Sequence, residues 1–173
     1  MAVKAIPDGF HSVTSFLVVS GVVPLIDFLQ QGFAAHEMHR MTRPDGTVMH
    51  AEVRIGDSTV MLGEAMGDCQ PMPSTLYLYV PDADAVYQRA LQAGATSTME
   101  PTDQFWGDRT AGVEDPAGNR WWIATHQEDV SPEDMLQRAE ACMQQQAQQH
   151  VAQSIMAQPA STDALPTPEA QRR

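Results

Sequence analysis

The segment at residues 48–55 carries side chains that could perform acid–base chemistry. Alternate side chains of a β-strand point to opposite faces, so His50, Glu52 and Arg54 share one face of this strand-like segment. An imidazole and a carboxylate side by side could form an acid–base pair, or supply two ligands to a metal ion. Alternatively, Glu52 pairs with Arg54 or Arg109 and only orients polar groups. Two ligands seldom hold a catalytic ion and no third is visible, so we predict no metal site here.

A second set of candidate residues is aromatic. Segment 75–80 alternates, so that Tyr77 and Tyr79 point away from Leu76 and Leu78. The leucine face suits packing against helices, which leaves the tyrosines to line a cleft. An aromatic-lined cleft suits a planar or apolar small molecule, although the same rings could instead fill the cleft as core. The other predicted lining residues are Phe16, Trp106 and Trp122.

Charged residues follow the aromatic pair at 105–106. Gly107 permits a sharp bend, and Asp108 and Arg109 come directly after it. The two could clamp a polar group of a ligand, or brace the loop through a local ion pair. His126 is predicted to end the last strand and to contribute little to a site.

The scaffold for these residues is a pattern that occurs twice, over residues 10–65 and 74–126. Each copy reads as a strand, an amphipathic helix and three more strands. Ser20 could cap the first helix, and Asp82 or Asp84 the second. The predicted fold class is α+β, with two tandem βαβββ modules forming a curled mixed sheet around a cleft, plus a C-terminal helix.

The second module ends in a predicted hairpin with Asp-Pro-Ala-Gly-Asn at residues 115–119 as its turn. Alternation after the turn puts Trp122 and Trp121 on opposite faces. A Ser-Pro-Glu-Asp helix start at residue 131 leads into a Gln-rich segment. We therefore predict one domain over residues 1–130, a helical Gln-rich extension over 131–157 and a disordered tail over 158–173.

Composition narrows the function classes. The chain has 173 residues, a formal net charge of −12 and a pI of about 4.6. Without a basic stripe, nucleic-acid binding is not expected, and no apolar run reaches the length of a membrane span. The N-terminus lacks a signal pattern and the two cysteines suggest no disulfide framework, so we predict a cytoplasmic protein.

Several strings of this sequence together resemble a known family. They are DGFHSVTSFLVV, FWGDR, VEDPAGNRWWIATH and EDVSPEDM, set in a doubled βαβββ pattern. The combination is similar to the vicinal-oxygen-chelate superfamily of glyoxalase I, bleomycin-resistance proteins and extradiol dioxygenases, and within it to the PhnB-like, glyoxalase-like branch. The resemblance covers about residues 10–126. It implies a cleft that is usually completed in a homodimer, and it leaves open whether modules pair within a chain or between chains.

The resemblance also implies four positions for metal ligands, where the family typically has His, Glu, His and Glu. They fall at about Thr14, Met61, Thr75 and Trp122 in this chain. None of these side chains is a usual ligand for a divalent cation, and a Trp indole can only donate a hydrogen bond. We therefore expect that the inherited metal site is lost and that no metal cofactor is needed.

Three function hypotheses follow. The first is a metal-independent, dimeric binder of a small aromatic or apolar molecule, similar to bleomycin-resistance proteins. The second is a metal-dependent glyoxalase-type lyase using His50, Glu52 and a third ligand that the sequence does not reveal. The third is a non-catalytic interaction module whose Gln-rich extension recruits a partner. In that case, deletion of the residues after Ala141 abolishes association and leaves the fold intact.

Overall fold

The computed structural model describes residues 3–156, with side chains as far as residue 149. Two βαβββ modules follow one another, which confirms the predicted α+β class. The first comprises β1 (Ser15–Val19), α1 (Val22–Phe33), β2 (His36–Thr42), β3 (Val48–Ile55) and β4 (Ser58–Glu64). The second comprises β5 (Thr75–Tyr79), α2 (Ala83–Gln92), β6 (Thr96–Asp103), β7 (Asp108–Glu114) and β8 (Arg120–His126).

Each module builds its own four-stranded mixed sheet. The strand orders are β1-β4-β3-β2 and β5-β8-β7-β6, and the first strand of each module pairs in parallel with the last. The two first strands therefore lie at sheet edges. In both sheets, the side chains of register-paired residues on neighbouring strands lie next to each other on the same face. The register therefore decides which side chains meet.

The core lies between the helices and one face of each sheet. In the first module Leu17, Phe28 and Leu62 are buried there, and in the second Trp121 and Ile123. The helices α1 and α2 approach closely, because Gly32 has no side chain: a Cβ at Gly32 would lie 3.3 Å from Cα of Ala90. The opposite faces of the two sheets are left for a site.

The start of α1 differs from the prediction that Ser20 caps it. Gly21 occupies the cap position with φ of +96°, and it has no side chain that could bond the start of the helix. The carboxylate of Glu64 on β4 accepts instead from the backbone N–H groups of Gly21 and Val22, at 2.8 and 3.0 Å. A carboxylate is stabilised at the positive end of a helix dipole. Glu64 therefore caps α1 although it is distant in the sequence.

The caps of the later helices are local. Asp82 accepts from the backbone N–H of Ala85 at 2.9 Å and caps α2. Ser131 accepts from the backbone N–H of Asp134 at 3.1 Å, and α3 (Pro132–Met156) follows it. The described residues divide into two units, with the boundary between Asp129 and Val130. The predicted tail at 158–173 lies outside the described residues, and in the described part no helix is long and apolar enough to span a membrane.

Candidate functional site

A buried carboxylate organises one face of the second sheet. Asp108 is only 3% exposed, and its Oδ2 accepts hydrogen bonds from the hydroxyls of Tyr77 and Tyr79 and from Nε1 of Trp106, at 3.2, 3.0 and 3.2 Å. Its Oδ1 lies 2.8 Å from Nδ1 of His126. Four donors from three separate segments thus converge on one acidic side chain. We call these five residues the Asp108 cluster.

Local structure explains why these groups meet. Asp108 and His126 are register partners at adjoining ends of β7 and β8. The turn before β7 is closed by the Gly107 N–H donating to the carbonyl of Gln104 at 3.0 Å, and Gly107 adopts φ of +94°. This left-handed conformation favours glycine and brings the preceding Trp106 back over the strand end.

The charge state of the cluster follows from its hydrogen bonds. Burial raises the pKa of Asp108, but the bonds from His126, Tyr79, Tyr77 and Trp106 outweigh burial and hold that pKa below its ordinary value. The bond to Asp108, and then one to Asp129, raise the pKa of His126. Nε2 of His126 lies 3.1 Å from Asp129 Oδ1. With a carboxylate at each ring nitrogen, the imidazolium form donates on both sides.

The aromatic rings of the cluster remain accessible although their polar atoms are held. Tyr77 and Tyr79 are 45% and 62% exposed, and their ring centroids lie 5.1 Å apart. Trp122 pairs with Tyr77 in the sheet, and its ring lies over Gly112, where a Cβ would come within 3.0 Å of Cζ3. The tyrosines are therefore not part of the core, and their outward rings form a surface with a fixed orientation.

A groove of about 790 Å³ runs along the free edge of β5, and Tyr77 and Tyr79 line it. Its volume falls in the range of small-molecule sites. Leu76 and Leu78 line it from the other side of β5, towards the helices. The first module contributes residues such as Val13 from the segment before β1. The groove thus joins an apolar wall to the tyrosine surface.

The candidates of the first module form a separate group. Phe16 is 51% exposed, and its ring centroid lies 6.1 Å from that of His50. Nε2 of His50 lies 3.4 Å from Oε1 of Glu52, and both side chains are about one quarter exposed. Of the alternatives for Glu52, this contact favours a pair with His50, since Glu52 has no ion pair with Arg54 or Arg109 among the described side chains.

Arg109 does not lie on the tyrosine face and does not pair with Asp108, which corrects the alternative of a local ion pair between the two. It bonds to Asp84 on α2, and its Nη1 lies 2.9 Å from Oδ1 of Asp103. Bonds to Asp84, then to Asp103, raise the pKa of Arg109. Its register partner Thr125 accepts from the N–H of Ala83 at the start of α2. Arg109 therefore ties the sheet to the helix, on the side away from Tyr77.

The residues at the four positions of the family metal site do not fit a divalent cation. Thr14 donates to the carbonyl of His11 at 3.0 Å, Met61 offers a thioether, and Trp122 lies over Gly112. Thr75 adds only a hydroxyl, and hard divalent cations prefer carboxylate or imidazole. No three His, Cys, Asp or Glu side chains within the described residues are grouped so as to hold a metal ion. The chemistry of the site therefore has to be sought in the aromatic and hydrogen-bonding groups.

Comparison with known proteins places the chain. Residues 9–123 match the model of the Glyoxalase/Bleomycin resistance protein/Dioxygenase superfamily. The chain belongs to this superfamily. It is also 38% identical, over 130 residues, to an uncharacterised protein of Mycobacterium bovis, covering 69% of this chain and 86% of that one.

Solved structures of other proteins share the fold. TioX from a Micromonospora species is 24% identical with a TM-score of 0.55, covering 66% of this chain and 99% of TioX. TnmS3, an antibiotic binding protein from a Streptomyces species, is 21% identical with a TM-score of 0.52, covering 67% and 97%. At these identities the likeness concerns the fold alone, so a function for this superfamily member must be argued from its own side chains.

Proposed function

We propose that this protein binds a small aromatic molecule on the face formed by Tyr77, Tyr79, Trp106 and Trp122, without a metal ion. The observation that carries this proposal is that the tyrosine rings are exposed while their hydroxyls are bonded to buried Asp108. Rings fixed in this way lose little conformational entropy when a ligand stacks on them. The adjoining groove supplies the volume that a planar molecule needs.

Other parts of the proposal rest on the sequence. The combination of strings quoted above supports membership of the PhnB-like branch, and we propose a cytoplasmic homodimer. Half-exposed Phe16 on the first sheet is an apolar surface that a second copy could cover. That TnmS3 is an antibiotic binding protein agrees with a binding role, although the fold likeness does not carry the argument.

A thermal-shift screen of aromatic natural products and antibiotics tests the proposal, using protein treated with chelator. A ligand present at one hundred times its Kd stabilises the folded state by about 2.7 kcal/mol, which raises Tm by several degrees in a chain of this size. The double variant Tyr77→Ala/Tyr79→Ala is expected to lose the shift. Tyr87→Phe is the matched control, because Tyr87 is buried and bonds Ser97 instead. A screen without any stabilising compound contradicts the proposal.

The alternative is a metal-dependent lyase at His50 and Glu52, which the 3.4 Å contact between these side chains favours. It needs a third ligand, and the described residues group none with them. Metal analysis of protein purified without chelator separates the two functions. A stoichiometric divalent metal that is lost in His50→Ala supports the lyase and contradicts the metal-independent binder.

A further inference from the structure

The polarity of the hydrogen bonds in the Asp108 cluster limits what can bind beside it. An ionised carboxylate only accepts hydrogen bonds, so the hydroxyl of Tyr79 and the indole N–H of Trp106 must point at Asp108. The bond to Asp108, followed by burial, raises the pKa of Tyr79, which keeps its proton in place. The polar hydrogens of Tyr79 and Trp106 are therefore already used.

The other two donors are committed in the same way. Both ring nitrogens of His126 face carboxylates, those of Asp108 and Asp129. Tyr77 bonds Asp108 at 3.2 Å and lies 3.3 Å from the hydroxyl of Thr110, which can donate to it. What the cluster still presents to a ligand is the lone pairs of the phenol oxygens, above all at the 62% exposed Tyr79.

The electrostatics point in the same direction. The ionised carboxylate of Asp108 accepts hydrogen bonds from the hydroxyls of both tyrosines, and the ring of His126 lies between Asp108 and a second carboxylate, Asp129. A phenol that donates to an anion gains electron density in its ring, which strengthens the attraction of the ring face for a cation. Of the nearby arginines, Arg109 is bonded to Asp84 and Asp103, whereas Arg89 lines the groove, as does Asp57.

Building on the proposed function, we propose that the ligand is an organic aromatic cation, seated on the rings of Tyr77 and Tyr79 with its positive charge or N–H groups towards their oxygens. A neutral molecule of the same shape forfeits the cation–ring attraction. An aromatic anion meets acceptors and a buried negative charge, and is rejected.

Calorimetric titration with three aromatic dyes tests this inference. The probes are cationic thioflavin T, its uncharged counterpart that lacks the ring N-methyl group, and anionic anilinonaphthalene sulfonate. Sodium chloride at about 0.3 M screens non-specific attraction to the acidic surface. We expect thioflavin T to bind roughly tenfold more tightly than its neutral counterpart, and the sulfonate not to bind.

Two single variants test whether the preference for the cationic dye comes from the hydroxyl of Tyr79. Tyr79→Phe keeps the ring and is expected to remove most of the difference between the cationic and neutral dyes, whereas Tyr87→Phe leaves it unchanged. Equal binding of all three dyes, or a preference for the sulfonate, overturns the cation preference. If that binding is lost in Tyr77→Ala/Tyr79→Ala, the proposed function still stands. Thioflavin T that binds the double variant as well as the wild type, or fails to bind the wild type, also overturns it. The proposed function itself fails separately, if the thermal-shift screen finds no ligand.

Discussion

The carboxylate of Asp108 and the imidazole of His126 lie 2.8 Å apart, at register-paired positions of β7 and β8. One is 3% exposed and the other 52% exposed, so the pair runs from the interior of the sheet to its surface. The tyrosine hydroxyls join the buried end of this pair. Much of the behaviour expected of the protein follows from this arrangement.

Asp108→Asn tests how much the cluster stabilises the fold. An amide in place of the buried carboxylate weakens four hydrogen bonds and turns a donor towards other donors, which we expect to cost roughly 2–4 kcal/mol of unfolding free energy. Urea denaturation at neutral pH measures the loss. Asp103→Asn is the control, because Asp103 is exposed and its ion pair with Arg109 is worth little in water. Equal losses in both variants contradict a special role for Asp108.

The pH dependence of stability should carry the signature of His126. Its pKa is raised in the folded state, so its contribution is complete below the unfolded value of about 6.5 and is lost as the pH rises through the folded value. Unfolding free energies measured from about pH 6 to pH 9 should fall less in His126→Gln than in wild type. Exposed His39, which lies outside the Asp108 cluster, provides the matched control variant His39→Gln. If the curves of unfolding free energy against pH are parallel for wild type and His126→Gln, the titration of His126 is not coupled to folding.

The contribution of Asp108 to stability should have the opposite pH dependence and be lost in acid. Its pKa is lowered, so its contribution is present above the unfolded value of about 3.9 and disappears as the pH falls through the folded value. The tyrosine hydroxyls then lose their acceptor, and ligand binding should weaken over the same range. Titration of a bound dye from about pH 4.5 down to about pH 2 follows this loss. Binding that persists after the carboxylate is protonated argues against its role in holding the rings.

Gly112→Ala should move Trp122 without touching the Asp108 cluster directly. A Cβ at Gly112 would lie 2.6 Å from Oγ1 of Thr98 and 3.0 Å from the indole, so we expect about 1–3 kcal/mol of destabilisation and a shifted tryptophan emission. Gly63→Ala is the matched variant in the first module, where a Cβ would lie 2.8 Å from Phe16. It should destabilise to a similar degree with unchanged tryptophan emission. The same emission change in both variants would show that the effect is not local.

Arg109→Lys separates the helix side of the sheet from the binding side. Lysine keeps the charge but loses the fork that bonds Asp84 with two nitrogens, so Tm should fall. The affinity for an aromatic ligand should not change, because Arg109 lies on the other face. A loss of affinity at constant stability would return Arg109 to the binding site.

Alternation in the sequence predicted which face of each strand is buried, and the structure confirms it for Tyr77 against Leu78 and for Trp122 against Trp121. Period-two patterns suffice here because one face of each sheet packs on helices. The helix cap at Asp82 and the start of α3 also depend on residues that are close in the sequence, and both predictions are confirmed.

The Asp108 cluster could not be predicted in the same way. Asp108 and Arg109 were expected to lie on a loop, whereas β7 begins at Asp108, so the alternation that puts the two side chains on opposite faces was hidden. The meeting of Asp108 with His126 depends on the register of two strands, which one sequence does not reveal. Glu64 as the cap of α1 was missed for the same reason, since the partners are 43 residues apart.

A crystal structure of the protein, purified without chelator and in complex with its tightest aromatic ligand, tests metal-independent binding on the tyrosine rings most directly. We expect an aromatic ring stacked on Tyr77 and Tyr79, with their hydroxyls still bonded to Asp108 and no metal ion beside the ligand. A ligand bound elsewhere, or an ion held by three or more side chains next to His50 and Glu52, would contradict it.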